Sequence, residues 1–284
     1  MYNETLWITG ADGRLGSSLV RAFEYDLDYK VFGTDKDVDI TDSQVVEKYA
    51  MMYRPSIIVN CASISDLAYC ESHRLEAYKV NALGARNLAA AASMHNSKII
   101  HFSTDDVFNG EHERAKNEFD TPTPQSIYGL SKLAGENLVR ELTPKHMIIR
   151  SSWLYGIGEG DYFSYVVEKG KNNETFTAPV DRFSTPTSIN EFVRFLKVLI
   201  ESNEYGIMHA SCEGMCSRHQ FAQAILSSMG YDPNLAQPVL SGESGARTST
   251  VLENLMLQLT GIYYMPLWED DMKEFVDGLK GGKK

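Results

Sequence analysis

Short apolar runs alternate with amphipathic stretches through the first half of the chain. The apolar runs have the length and near-continuous apolar character of buried strands, at residues 6–9, 30–35, 56–63, 98–104 and 146–152. The stretches between them have helical spacing or are rich in helix formers, at 14–24, 43–53, 74–95 and 126–142. Buried strands separated by helices form a parallel sheet with both faces covered. The pattern therefore predicts an α/β fold with a doubly wound parallel sheet.

The alternation stops after Ser152. Residues 153–187 mix glycine, aromatic, asparagine and proline residues, which predicts a loop-rich segment. Amphipathic helices are predicted after it, at 188–202, 217–229 and 268–280. We expect one domain over residues 1–152, with helix 188–202 packing back on it, and a smaller C-terminal lobe made of residues 153–187 and 203–284.

Charge and composition narrow the possible partners. The formal net charge of −11 and the pI of about 5.1 argue against a nucleic-acid partner, which requires a basic surface. No apolar run reaches the roughly 18 residues of a membrane-spanning helix, and the first residues lack the pattern of a signal peptide. We therefore expect no membrane partner and a cytoplasmic location. The sequence does not determine the oligomeric state, and a homodimer is one possibility.

One cluster has a loose resemblance to a zinc site: His209-x2-Cys212-x3-Cys216-x2-His219. Structural zinc sites usually have a tighter paired spacing. The same residues also fit a strand, a loop and a helix that begins near Ser217. We predict no metal site.

A glycine-rich turn follows the first strand and opens the first helix, with Gly10, Gly13 and Gly16 in the pattern Gly-x2-Gly-x2-Gly. The first glycine allows a tight turn, the second lets the backbone approach a pyrophosphate, and the third lets helix and strand pack closely. Unpaired N–H groups at the helix N-terminus then face the phosphate. We predict that this Rossmann-like turn binds NADPH or NADH through Gly10, Asp12, Gly13, Arg14, Leu15 and Gly16.

The ends of the next strands continue the predicted nucleotide path. Asp35 ends the second strand, where a carboxylate can accept both ribose hydroxyls of NAD and would repel the 2′-phosphate of NADP. Lys36 could offset that repulsion, so the preference between NADPH and NADH stays open. The rest of the predicted path is formed by Asp39, Ile40, Cys61, Ala62 and Ser63.

Tyr128 and Lys132 are four residues apart on a predicted helix, so their side chains share a face. A lysine charge favours the tyrosinate, so we expect Lys132 to lower the tyrosine pKa and allow proton exchange with a substrate oxygen. Thr104 ends the fourth strand and can hydrogen-bond the same oxygen. Tyr-x3-Lys is common by chance, but after a phosphate-binding turn and a threonine at a strand end it indicates a hydride-transfer site.

The motifs together resemble the extended short-chain dehydrogenase/reductase family. They are Gly10-x2-Gly13-x2-Gly16, Asn60-Cys61-Ala62, Asn81, Thr104 and Tyr128-x3-Lys132. Longer stretches are similar to the branch of that family that reduces dTDP-4-dehydrorhamnose: DVDITD (37–42), STDDVFNGE (103–111), IYGLSKLAGE (127–136), IRSSWLYG (149–156), STPTS (184–188) and MPLWEDDMKEF (265–275). The likeness covers nearly the whole chain and thins after residue 156.

The resemblance implies an NAD(P)H-dependent oxidoreductase whose C-terminal lobe binds a dTDP-sugar. Hydride would pass to the C4 ketone of a dTDP-4-dehydro-6-deoxyhexose, with Thr104, Tyr128 and Lys132 as catalytic residues. Tyr128 and Lys132 would also contact the cofactor, as would Asn81. The residues expected to face the substrate are Thr104, Asp105, Trp153, Arg182 and Arg247.

Several positions depart from the family pattern and keep other functions open. Asp106 stands where the family commonly has tyrosine, and it adds negative charge near the predicted site. Cys61 replaces an alanine, Ser184 replaces a glycine, and Arg247-Thr248 stands for an Arg-Pro pair. The alternatives are another nucleotide-sugar reductase or epimerase, or a non-catalytic regulatory subunit similar to the beta subunit of methionine adenosyltransferase.

Overall fold

The structure is a computed structural model that describes residues 4–110, 114–241 and 248–281 of the 284-residue chain. The strands, in chain order, are β1 (Glu4–Thr9), β2 (Tyr29–Thr34), β3 (Ile57–Asn60), β4 (Lys98–Thr104), β5 (His146–Ser151), β6 (Leu154–Tyr155), β7 (Phe176–Pro179), β8 (Arg182–Ser184), β9 (Thr187–Ser188), β10 (Gly206–His209), β11 (Cys216–Ser217), β12 (Ala236–Val239) and β13 (Thr248–Ser249).

The helices are mostly longer than the strands. In chain order they are α1 (Arg14–Phe23), α2 (Ser43–Tyr53), α3 (Leu67–Ser72), α4 (Arg74–Tyr78), α5 (Ala85–His95), α6 (Ile127–Leu142), α7 (Tyr162–Asn172), α8 (Ile189–Glu201), α9 (Arg218–Met229), α10 (Leu255–Thr260) and α11 (Trp268–Gly281). Three short helical turns of other types lie at Lys79–Gly84, Asp105–Val107 and Pro233–Leu235.

The chain folds into two compact units. The first draws on residues 1–109, 119–150 and 196–208, and the second on residues 110–118, 151–195 and 209–284. None of the helices in the described ranges is long and apolar enough to cross a membrane.

A six-stranded sheet in the order β10-β5-β4-β3-β1-β2 forms the centre of the first unit. β1 pairs in parallel with both β2 and β3, and β3 pairs in parallel with β4. The strand order reverses at β1, because the chain adds β2 on one side and β3 on the other. The prediction of an α/β fold with a Rossmann-like parallel sheet is confirmed. In such sheets, ligands bind in the crevice at the carboxyl ends of the strands where the order reverses.

Helices α2, α5 and α6 cover one face of this sheet. Their apolar side chains share a core with inward-facing strand residues such as Trp7, Ile58 and Ile99, all fully buried. The indole N–H of Trp7 donates a 2.9 Å hydrogen bond to the Thr34 hydroxyl, so the one polar atom of this ring is satisfied inside the core. Residues of α1 contact β1 and β2, and the Lys197 ammonium lies 5.2 Å from the Phe23 ring at the end of α1.

The predicted helix 74–95 is not continuous. Residues Arg74–Tyr78 and Ala85–His95 are α-helical, but Lys79–Gly84 between them is a π-helical turn, so a single uninterrupted helix was wrong. A π-turn adds one residue to the helical repeat and often occurs at functional sites. Here it places Asn81 inward, where its amide hydrogen-bonds two other segments. Composition alone favoured a regular helix because the stretch is rich in alanine and leucine.

The second unit contains short strands and helices. Its sheets are β11-β8-β13, β12-β7 and β6-β9. The segment 153–187, predicted as loop-rich, also contains α7, whose N-cap Asp161 accepts hydrogen bonds from the Phe163 and Ser164 N–H groups. The buried carboxylate of Asp271 accepts hydrogen bonds from the Ser188 N–H, the Ser188 hydroxyl and the Tyr155 hydroxyl. These bonds join α11 to the start of α8.

Candidate active site

The turn after β1 has a geometry that only glycine tolerates at two of its positions. Gly10 has a φ of +66°, and a Cβ there would lie 2.6 Å from the Ala62 backbone nitrogen. A Cβ on Gly16 would lie 2.1 Å from the Gly10 carbonyl oxygen. The Ala11 N–H donates to the Thr34 carbonyl at 2.9 Å and fixes the turn against β2. Helix α1 begins directly after the turn, at Arg14, so its N-terminus lies at the edge of the sheet.

A cavity of about 530 Å³ opens at this edge of the first unit. Its lining includes eight of the residues predicted to bind the cofactor: Gly10, Gly13, Asp35, Asp39, Ile40, Cys61, Ala62 and Ser63. The Asp35 carboxylate also accepts a hydrogen bond of 3.3 Å from the Asp12 N–H. A glycine turn, a helix N-terminus and a carboxylate at the end of β2 suit a dinucleotide.

The cavity also contains residues that the sequence did not assign to the cofactor. They are Lys36, Val38, Thr41, Ile64, Glu76, Lys79 and Val80. The sequence analysis considered Lys36 only as a charge that could offset the repulsion between Asp35 and NADP. The other residues belong to no recognisable motif, because only the tertiary fold brings them to the cavity. Of the other predicted cofactor residues in this region, Arg14 and Leu15 begin α1, and Gly16 packs against the turn.

Asn81 connects the cavity wall to the helix that carries the predicted catalytic pair. It is almost fully buried, accepts a hydrogen bond from the Ile64 N–H at 2.8 Å, and donates to the Ile64 carbonyl at 2.9 Å. Its amide also donates to the Ser131 hydroxyl at 2.9 Å. Asn81 therefore holds the loop after β3 against α6.

Thr104 and Tyr128 are neighbours in the structure. Thr104 ends β4, its hydroxyl donates to the Asp105 carboxylate at 3.2 Å, and its oxygen accepts from the Asp106 N–H at 3.2 Å. The Thr104 hydroxyl lies close enough to Tyr128 to act on the pKa of its phenol. Ser126 caps α6 by accepting from the Gly129 N–H at 3.0 Å. The cap fixes the first turn of the helix, and with it the position of Tyr128.

The pKa of Tyr128 differs from the sequence-based expectation. Burial raises it above its ordinary value, the negative charge of Asp106 raises it further, and the nearby Thr104 hydroxyl opposes both only partly. The prediction that Lys132 lowers the pKa of Tyr128 is therefore wrong. A half-buried phenol beside two carboxylates, Asp105 and Asp106, keeps its proton at neutral pH. Such a group is suited to donating a proton.

Lys132 is buried below Tyr128 on the same helix. Its ammonium donates to the Phe102 carbonyl on β4, and burial lowers its pKa to about 8 although the negative charge of Glu136 opposes the shift. Glu136 itself forms a buried ion pair with Arg150 at 2.7 Å and accepts from the Ser103 hydroxyl. The lysine is thus held in a fixed position between strand β4 and helix α6.

Two of the remaining predicted substrate residues, Trp153 and Arg182, belong to the second unit. Trp153 has a φ of +36°, a conformation that costs a bulky residue on the order of 1–3 kcal/mol. Arg182 is exposed and donates to the Ser241 hydroxyl at 2.8 Å. Arg247 lies outside the described residues.

The four residues with zinc-like spacing have separate partners. The His209 ring contacts the Glu253 carbonyl at 3.1 Å, and the His219 ring contacts the Ala236 carbonyl at 3.1 Å. Burial raises the pKa of both thiols, Cys212 and Cys216. Among the described residues, no group of three or more histidine, cysteine or acidic side chains is placed to hold a metal ion.

Comparison with known proteins identifies the family. The family described as RmlD substrate binding domain matches residues 4–280, nearly the whole chain. The chain belongs to this family. The resemblance inferred from the motifs is thereby confirmed.

Relatives of this RmlD-family chain are similar over most of their length. The spore coat polysaccharide biosynthesis protein SpsK of Bacillus subtilis is 31% identical over 95% of both chains. A dTDP-4-dehydrorhamnose reductase of Aggregatibacter actinomycetemcomitans is 34% identical over 83% of this chain and 81% of its own. The crystal structure of the Bacillus anthracis dTDP-4-dehydrorhamnose reductase in complex with NADP has a TM-score of 0.92 and 35% identity, covering 98% of this chain and 100% of that one.

Proposed function

We propose that this protein reduces the C4 ketone of a dTDP-4-dehydro-6-deoxyhexose, converting dTDP-4-dehydrorhamnose to dTDP-rhamnose with NADPH or NADH. The observation that carries the proposal is the placement of Thr104, Tyr128 and a buried Lys132 together, in the same unit as the glycine turn and its cavity. Relatives with the same reductase name, one of them solved with NADP, support it.

The chemistry assigns a separate task to each side chain. A bound nicotinamide supplies the hydride. Tyr128 donates its proton to the C4 oxygen, and its raised pKa keeps that proton in place until the oxygen gains negative charge. Thr104 orients the carbonyl by donating its hydroxyl proton to the ketone oxygen, for which the hydroxyl turns away from its present acceptor, Asp105. The Lys132 charge stabilises the tyrosinate that remains after proton transfer.

The coenzyme preference depends on two adjacent side chains at the end of β2. Asp35 favours the free ribose hydroxyls of NADH, and the exposed Lys36 beside it favours the 2′-phosphate of NADPH. Both side chains line the cavity, so we propose that the protein accepts both coenzymes, with Asp35 strengthening NADH binding and weakening NADPH binding.

The two units take different tasks in this proposal. The first unit binds the dinucleotide and the second, which contains Trp153 and Arg182, binds the sugar nucleotide. A cytoplasmic location and a homodimer belong to the same proposal. Light scattering coupled to size-exclusion chromatography measures the oligomeric state directly.

Turnover tests the proposed activity. Purified protein is mixed with NADPH or NADH and dTDP-4-dehydrorhamnose, and the nicotinamide absorbance is followed. We expect substrate-dependent oxidation that falls by about 10²–10⁴-fold in Tyr128→Phe. The matched control is Tyr264→Phe, because that tyrosine is 78% exposed and is not part of the core. Tight NADPH binding without turnover of any nucleotide-linked 4-keto sugar would favour the regulatory-subunit alternative and contradict the proposal.

A further inference from the structure

An arginine stacks on Trp153 in the second unit. The guanidinium carbon of Arg218 lies 3.7 Å from the centroid of the Trp153 ring and 4.7 Å from that of Tyr162. No motif in the sequence points to Arg218, because it follows Trp153 by more than sixty residues and meets it only through the fold. The guanidinium is planar and stacks well on aromatic faces, and tryptophan is the best partner for a cation.

The arginine is held from several sides. It is the first residue of α9, which is capped by reciprocal hydrogen bonds between Ser217 and Gln220 at 2.8 and 3.1 Å. Its carbonyl accepts a 3.3 Å hydrogen bond from the Tyr162 hydroxyl. The backbone of Arg218 is thus fixed by a helix end and by the Tyr162 hydroxyl, and its guanidinium also lies over the Tyr162 ring.

Trp153 needs such a support because of its backbone conformation. Its φ is +36°, which is outside the β region that strand residues adopt. Strand β5, which ends two residues earlier, therefore does not determine the direction of the Trp153 indole. The carbonyl of Trp153 accepts from the Thr187 N–H at 3.3 Å, which fixes the backbone but not the indole. Arg218 covers one face of the indole, so a ligand cannot stack on that face.

We propose that Arg218 is a positioning residue that orients the Trp153 indole for the sugar nucleotide. This inference rests on the proposed function, because it requires Trp153 to contact that substrate. Arg218 acts through the indole, so its loss weakens substrate binding and leaves the chemical step and the cofactor site unchanged.

A double-mutant cycle separates action through the indole from direct contact with substrate. Arg218→Met keeps the length of the side chain but removes its charge and its plane, and Trp153→Leu removes the aromatic face. We expect Arg218→Met to raise the KM for dTDP-4-dehydrorhamnose by about tenfold, with kcat and the NADPH Kd within about twofold. In the Trp153→Leu background the same change should alter KM by less than about twofold.

Two further variants control the cycle. Arg218→Lys keeps a cation over the indole and should raise KM less than Arg218→Met does, and it also serves if the methionine variant unfolds. Arg140→Met removes an exposed arginine from α6 and should leave KM unchanged. Tryptophan emission, compared between Arg218→Met and the wild type and again in the Trp153→Leu background, reports whether the indole itself has changed surroundings.

The possible results lead to different conclusions. An equal effect of Arg218→Met in both backgrounds would mean that Arg218 contacts the substrate itself, and the positioning role would be wrong. An unchanged KM in an active Arg218→Met protein would overturn this inference and leave the proposed function intact. A wild-type protein that turns over no nucleotide-linked 4-keto sugar would overturn both.

Discussion

Gly129 lies directly after Tyr128, at a point where helix α6 passes very close to the end of β4. A Cβ on Gly129 would lie 2.2 Å from the Asp106 carbonyl oxygen and 3.0 Å from its carbonyl carbon. The ordinary carbon–oxygen contact is about 3.3 Å or more, so Gly129→Ala requires the two segments to separate by about 1 Å. Both segments carry the predicted catalytic side chains, and neither clashing atom belongs to a flexible side chain.

A displacement of about 1 Å between reacting groups costs on the order of 10²-fold in rate. We therefore expect Gly129→Ala to lower kcat by about 10²-fold and the free energy of unfolding by about 1–3 kcal/mol. The NADPH Kd should stay within about twofold, because the glycine turn and the cavity do not include Gly129. Steady-state kinetics, cofactor titration and urea unfolding measure the three quantities.

Gly278→Ala is the matched control. Gly278 lies within α11, where an added Cβ has nothing within 4 Å, so alanine should stabilise the helix by about 0.5–1 kcal/mol and leave kcat unchanged. A Gly129→Ala protein with wild-type kcat would refute the argument that the contact between α6 and Asp106 positions Tyr128.

Three other changes test separate parts of the structure. Lys132 has a pKa lowered to about 8, so it is charged below that pH and kcat/KM should fall as pH rises through about 8; a flat profile to pH 10 would contradict its role. Asp35→Ala should raise the Kd for NADH by about tenfold and lower that for NADPH, and equal changes by calorimetry would contradict the ribose contact. Asp271→Asn should lower the free energy of unfolding by about 2–3 kcal/mol, because the amide cannot accept all the bonds from Ser188 and Tyr155; an unchanged urea midpoint would contradict this.

Much of the first unit could be predicted from sequence because its signals are local. The run at 98–104 is β4 with the same bounds, and the helix predicted at 43–53 is α2 with the same bounds. Asp42 caps α2 by accepting hydrogen bonds from the Gln44 and Val45 N–H groups. Apolar runs, caps and glycine spacing all act over a few residues, so they can be read along the chain.

The features that the sequence missed depend on distant residues. The π-turn at Lys79–Gly84 lets Asn81 bond to Ile64 and Ser131, and no local preference predicts it. The raised pKa of Tyr128 depends on burial and on Asp106, which overcome the local argument from Lys132. The Arg218–Trp153 stack likewise joins residues far apart in the chain.

Isotope transfer tests the central claim most directly. NADPH carrying deuterium at the transferring position of its nicotinamide is incubated with the protein and dTDP-4-dehydrorhamnose, and the product is examined by NMR. The account predicts deuterium at C4 of dTDP-rhamnose and one oxidised cofactor for each product molecule. Deuterium that stays on the cofactor, or an inverted sugar without net cofactor oxidation, would contradict it.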